Sequence, residues 1–253
     1  MAKATRRIRD AGAIVEIVQY SHIKISDEKP VRRAKRQKTS AVMQAFNKKT
    51  SIQKFALMLA ANFRLGDNVC HVTYDDNHLP KTRKEAERRF KYFRDKLRKV
   101  YDAKGVELIV CWSTENKHGD GRWHHHFVCT ATGDDYENLR RAWIYGKVEE
   151  FKPLELDDKT DGYYAIADYF AKEAREKPGL RSWSYTRNAR KPEVERDIVD
   201  ENDAPQIPEG VIVFDNHSDP TTFGKYYYIR YMLPKAALPP RVKAKRKRKH
   251  KDG

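Results

Sequence analysis

Gly121-Arg122-Trp123-His124-His125-His126-Phe127-Val128 places three of the chain's nine histidines side by side. The aromatic and β-branched residues around them predict a strand, and successive strand side chains point to opposite faces. His124 and His126 then share one face, and His125 points away with Trp123 and Phe127. Two imidazoles two residues apart on one strand face can hold one divalent ion. A third ligand has to come from a neighbouring element. Glu115 ends the preceding apolar stretch and can reach across a hairpin to the histidine face. Two imidazoles and a carboxylate leave positions open for water and a substrate oxygen. That set suits Mg²⁺ or Mn²⁺ acting on a phosphate, with Zn²⁺ also possible. His118 in the turn and His71 on an earlier strand are weaker candidates, and His125 reads as a packing residue. The bland alternative is a surface histidine cluster, or histidines that face nucleic acid directly.

Some forty residues on, Asp168-Tyr169-Phe170-Ala171-Lys172 lies in a stretch, 161–174, with helical patterning. Tyr169 and Lys172 are three apart and so share a helix face. Tyr163, Ile166 and Phe170 make the stripe expected to face the core, which leaves Tyr169 displaced toward solvent or substrate. A tyrosine hydroxyl, with an ordinary pKa of about 10, is a weak nucleophile at neutral pH. Nearby positive charge from Lys172 or a metal would stabilise the phenolate and a phosphoryl transition state. Taken without the histidines, Tyr169 and Lys172 read as an exposed tyrosine beside a solvated lysine.

Composition limits the partners. The 253 residues carry a formal net charge of +16, with 35% charged and 39% hydrophobic residues. Such an excess points to a polyanion, nucleic acid before an anionic membrane surface. No stretch approaches the ~18–20 apolar residues of a membrane span. Residues 1–10 are basic without an apolar secretory core, so no signal peptide is expected. Cys70, Cys111 and Cys129 are far apart in apolar segments and read as reduced core residues of a cytosolic protein.

Around the histidine strand, the patterning predicts helix over 51–63, strand over 69–74, helix over 81–101, strand over 106–114, a short helix from Asp134 or Asp135 to Trp143, and strand over 145–154. Residues 1–49 read as a basic arm in which 13–20 can form a strand, and 193–208 as an acidic linker. Candidate strands follow at 211–214 and 226–231, then a basic, disordered tail over 236–253. The order β, α, β, β, α, β, α implies an α+β fold, an antiparallel sheet with helices on one face in the ferredoxin-like (RRM-like) manner. The main domain is expected over 50–235.

Three stretches together resemble a known family: 69–74, the histidine strand 121–128, and Tyr169-Phe-Ala-Lys172. In this order the chain resembles HUH endonucleases, specifically the rolling-circle replication initiators of bacterial plasmids, phages and mobile elements. The resemblance covers roughly residues 66–191. It implies that His124 and His126 are metal ligands with Glu115 as the acidic third, that Tyr169 is the nucleophile and that Lys172 assists it. It implies site-specific nicking of single-stranded or hairpin DNA at a replication origin through a 5′-phosphotyrosine link, in a bacterial cytoplasm, with a host helicase and polymerase as further partners. Two departures stand out. The middle of the His-x-His is a histidine, and the position four before Tyr169 is Ala165 rather than a second tyrosine.

Arg181, Arg187, Arg190 and Lys191 interleave with Trp183 and Tyr185, a pattern of phosphate-binding cations and base-stacking rings. The runs 32–38 and 241–251 would add salt-dependent affinity without sequence preference. A relaxase or transposase would share the same chemistry, although conjugative relaxases often place the tyrosine before the histidines. A non-catalytic, ferredoxin-like nucleic-acid binder explains the charge and fold but leaves the Glu115, His124, His126, Tyr169 set to coincidence.

Overall fold

The computed structural model describes residues 2–22, 41–116, 122–155, 161–171, 182–221 and 224–234. In chain order the elements are β1 (Lys3–Asp10), β2 (Ile14–Ser21), α1 (Ala41–Asn62), β3 (Asn68–Tyr74), α2 (Arg83–Ala103), β4 (Val110–Glu115), β5 (His124–Cys129), α3 (Tyr136–Ala142), β6 (Gly146–Pro153), α4 (Gly162–Phe170), β7 (Ser184–Tyr185), β8 (Glu193–Asp200), β9 (Ile212–Thr221) and β10 (Gly224–Met232). The fold is α+β. The strands make two five-stranded antiparallel sheets, where the sequence pattern anticipated one. The chain divides into two compact units, each with its own sheet.

The second unit carries the histidines. Its sheet runs β6-β3-β5-β4-β7. Helix α2 starts at Thr82, whose side chain accepts a hydrogen bond from the Glu85 amide, as an N-cap threonine does. The helix turns Ala86, Phe90, Phe93, Leu97 and Tyr101 inward, at the spacing of one helix face. These pack with Cys70, Val72, Tyr74, Val110, Phe127, Cys129 and, from α3, Leu139 and Ala142. Each strand thus gives alternate residues to this core. Arg94 lies flat over Trp112, 3.9 Å from its ring centroid, and roofs one edge of the cluster. Asp135 stands at the start of α3, but its carboxylate accepts from Asn68, Tyr101 and the Thr132 amide rather than capping the helix. At the start of β6 the chain passes so close to β3 that a Cβ on Gly146 would collide with the Thr73 carbonyl oxygen, so only glycine fits there. The three cysteines are buried and free.

The first unit holds the sheet β8-β1-β2-β10-β9 with α1 and α4. β2, rich in Ile and Val, is central and buried along most of its length. Glu16 within it is fully buried, yet it is matched: it pairs with Arg9, accepts from the Tyr228 hydroxyl at 3.0 Å and lies 3.6 Å from Arg230. Arg230 also donates to Asp161 at 2.5 Å. Asp161 in turn caps α4, accepting from the Tyr164 amide. α1 and α4 pack together, with the Phe55 and Phe170 rings 5.9 Å apart.

Two expectations change here. Residues 1–49, read as an arm, include two sheet strands and the first turns of α1. The arginines of β1 mask the strand because they are neutralised within the fold: Arg6 by Gln19 and Asp203, Arg9 by Glu16. The acidic stretch read as a linker contains β8, an edge strand paired with basic β1. Its exposed side chains leave no apolar alternation to read. The runs 32–38 and 236–253 lie outside the described residues. No helix among the described residues is long and apolar enough to cross a membrane.

Phe90 is fully buried and touches Phe93, Trp112, His125, Phe127 and Trp143. Phe90→Ala is expected to lower the unfolding free energy by about 3–5 kcal/mol, read from urea denaturation.

Candidate functional site

The registers of β6, β3, β5 and β4 define the face opposite the α2 core as a grid. One row reads Lys147, Thr73, His124, Glu115. The next reads Glu150, His71, His126, Ser113. The third is Lys152, Val69, Val128, Cys111, extended by Tyr185 of β7. Three imidazoles and a carboxylate therefore meet on adjacent positions of three strands. His71 Nε2 lies 3.1 Å from His124 Nδ1, and its ring stacks on His126 with centroids 4.2 Å apart. His126 Nε2 is 2.5 Å from Glu115 Oε1.

The strand pleat sends His125 the other way. It is fully buried against Phe90, with centroids 4.4 Å apart, and its two nitrogens meet Tyr74 Oη at 2.9 Å and Thr114 Oγ1 at 3.0 Å. Both ring nitrogens are thus occupied by hydroxyls of the fold, and burial pushes the imidazole well below its ordinary pKa. His125 is a core histidine.

The electrostatics of the polar face are mutual. Burial, then the neighbouring His126 and His124, push His71 down to about 4, so it is neutral at pH 7. Burial alone would raise Glu115. The hydrogen bond from His126 and the three surrounding imidazoles outweigh it and hold the carboxyl below its usual range. Imidazole nitrogens beside an ionised carboxylate are a donor set that suits a divalent ion. In this structure the donors face one another in pairs. Among the described residues, no group of three or more His, Cys, Asp or Glu side chains is arranged as a ligand set. The chemistry of the donors, rather than their present spacing, fits a metal.

Of the other expected residues, Tyr169 lies on α4 in the first unit and is 40% exposed. Lys172, Arg181 and His118 lie outside the described residues. Trp183 and Tyr185 are half-buried neighbours in the second unit, with ring centroids 5.8 Å apart, and Arg187 is exposed. Arg190 and Lys191 are exposed in the first unit, where the Arg190 backbone is held by the Asn62 side chain at 2.8 and 2.9 Å. Sequence reasoning underweights His71. Its strand is buried on both faces, so no alternation shows which side it takes.

His71 has a lower pKa in the folded state than in the unfolded chain. On acidification the unfolded chain takes up that proton first, so stability is lost as pH falls from about 6.5 toward 4. Glu115, also held low, adds a loss of the same sign in the acid range. The urea midpoint is therefore expected to drop between pH 7 and pH 4.5, and to drop less in His71→Gln.

No curated protein and no solved structure matches the chain. A family model does: residues 68–175, running from the first residue of β3 through the histidine strand and past α4, match a family of replication-associated proteins, the ORF2 type.

Proposed function

We propose that this protein is a metal-dependent DNA nickase and strand transferase of the HUH type that initiates rolling-circle replication. The observation that carries the reading is the convergence of His71, His124, His126 and Glu115 on one sheet face, inside the region matched to replication-associated proteins. Mg²⁺ or Mn²⁺ would be held by His124, His126 and Glu115, with the His71–His124 and His126–Glu115 hydrogen bonds giving way to coordination. When bound, the ion supplies Lewis-acid polarisation of a phosphate oxygen.

The remaining chemistry belongs to the chain. The Tyr169 hydroxyl gives up its proton and its oxygen attacks the phosphorus of a phosphodiester. The new O–P bond links the tyrosine to the 5′ phosphate. The bond to the 3′ oxygen breaks, and that oxygen takes up a proton to become a free 3′-OH. Lys172 fits the role of stabilising the phenolate. Reversal on a second strand end gives strand transfer. Trp183 and Tyr185 supply ring faces on which unpaired bases stack, and Arg187, Arg190 and Lys191 supply cations for the backbone. The substrate is single-stranded or hairpin DNA at an origin, and the protein's site of action is the cytoplasm of a bacterial host, where a helicase and polymerase extend the 3′ end.

The test uses labelled single-stranded oligonucleotides from DNA flanking the protein's own coding sequence, with Mn²⁺, on a denaturing gel. Wild type is expected to form a covalent protein–DNA band. Tyr169→Phe and added chelator should abolish it, and His126→Ala should reduce it by at least a hundredfold while leaving most DNA binding. Wild-type binding without any adduct would replace this reading with a non-catalytic DNA-binding module.

A further inference from the structure

Two hydroxyls on the histidine face have no role in the fold. Ser113 Oγ and Thr73 Oγ1 are buried and make no hydrogen bond among the described residues. Ser113 is 2% exposed and Thr73 3%. The registers place Thr73 beside His124 and Ser113 beside His126, one on each side of the histidine strand. Lys147 continues the Thr73 row and is exposed.

Burying a hydroxyl without a partner costs stability, and native proteins satisfy nearly all such groups. Valine and alanine would fill these positions at no such cost. The rest of this sheet follows the rule: Thr114 Oγ1 meets His125, Tyr74 Oη meets His125 and donates to the Ala86 carbonyl, and Thr130 Oγ1 accepts from the Ile109 amide. The two exceptions fall on the one polar face, next to the residues assigned there to chemistry. A hydroxyl donates one hydrogen bond and accepts others, so an acceptor-only ligand satisfies it. A phosphodiester offers two non-bridging oxygens of that kind, and Lys147 adds charge at the end of the row.

We propose that Thr73 and Ser113 are phosphate-binding residues that donate hydrogen bonds to non-bridging oxygens of a DNA phosphodiester seated on the histidine face. The assignment deepens the nickase reading and rests on it for the identity of the strand. It gives the face a set of direct contacts to DNA that needs no change in charge on the histidines.

The test compares Thr73→Val, Ser113→Ala and Thr73→Ser in the full chain. Thermal unfolding without DNA is read first, then affinity for a fluorescent twelve-nucleotide single strand. If the hydroxyls await a ligand, Val and Ala remove an unsatisfied buried group. The melting temperature should then rise by about 2–4 °C, while affinity falls roughly five- to tenfold and Thr73→Ser restores it. If the hydroxyls serve the fold, the melting temperature falls and affinity does not move. Either a lower melting temperature or unchanged affinity in both Val and Ala variants overturns the proposal. The covalent-adduct assay on wild type separates this from the nickase reading, since loss of affinity in the variants is read whether or not the bond is cut.

Discussion

The two-residue repeat of β5 is the constraint on which the candidate site depends. Consecutive histidines in a strand cannot face the same way, so the pleat divides their work. His125 is driven into the α2 core, stacked on Phe90 and held by two hydroxyls. That anchorage fixes the strand's rotation and leaves His124 and His126 no choice of side. A one-residue slip in register would bury both of them and expose His125. The buried histidine therefore secures the orientation of its neighbours, and the aromatic cluster around it belongs to the site as much as to the core.

The same economy governs charge. In the first unit Glu16 sits at the centre of a sheet and is tolerated because Arg9, Arg230 and Tyr228 surround it. Removing any one of these partners would leave a charge stranded. In the second unit burial and the neighbouring imidazoles lower the affinity of His71 for protons, which keeps it neutral while Glu115 stays ionised. Both arrangements hold polar groups inside a sheet. The first ties β2 and β10 to the capping residue of α4. The second leaves lone pairs and a carboxylate on one face, where they support a reading as ligands.

The sequence conveys the helices well where a stripe is present. α2 shows Phe90, Phe93 and Leu97 at helical spacing, and the structure buries that stripe. Strands with mixed surroundings are harder. β1 carries three arginines within four residues and β8 is acidic and exposed. Neither has the apolar alternation that marks a strand, because their charges are balanced across the β1–β8 pairing and by partners elsewhere in the same unit. Residues 1–49 and 193–208 consequently read as arm and linker.

What the sequence determined by itself is local: that His124 and His126 share a face and His125 does not, that Glu115 ends the strand before them, and that Tyr169 stands off the buried stripe of its helix. These follow from strand and helix periodicity and need no knowledge of neighbours. Only the tertiary structure decided which strands lie side by side. That arrangement brings His71 onto His124 and His126, sets Thr73 and Ser113 beside them without partners, and forms a second sheet from segments almost two hundred residues apart. The reason is physical: strand pairing is set by burial and hydrogen bonding between distant segments, and the chain's periodicity specifies which face a residue takes but not what it will meet there.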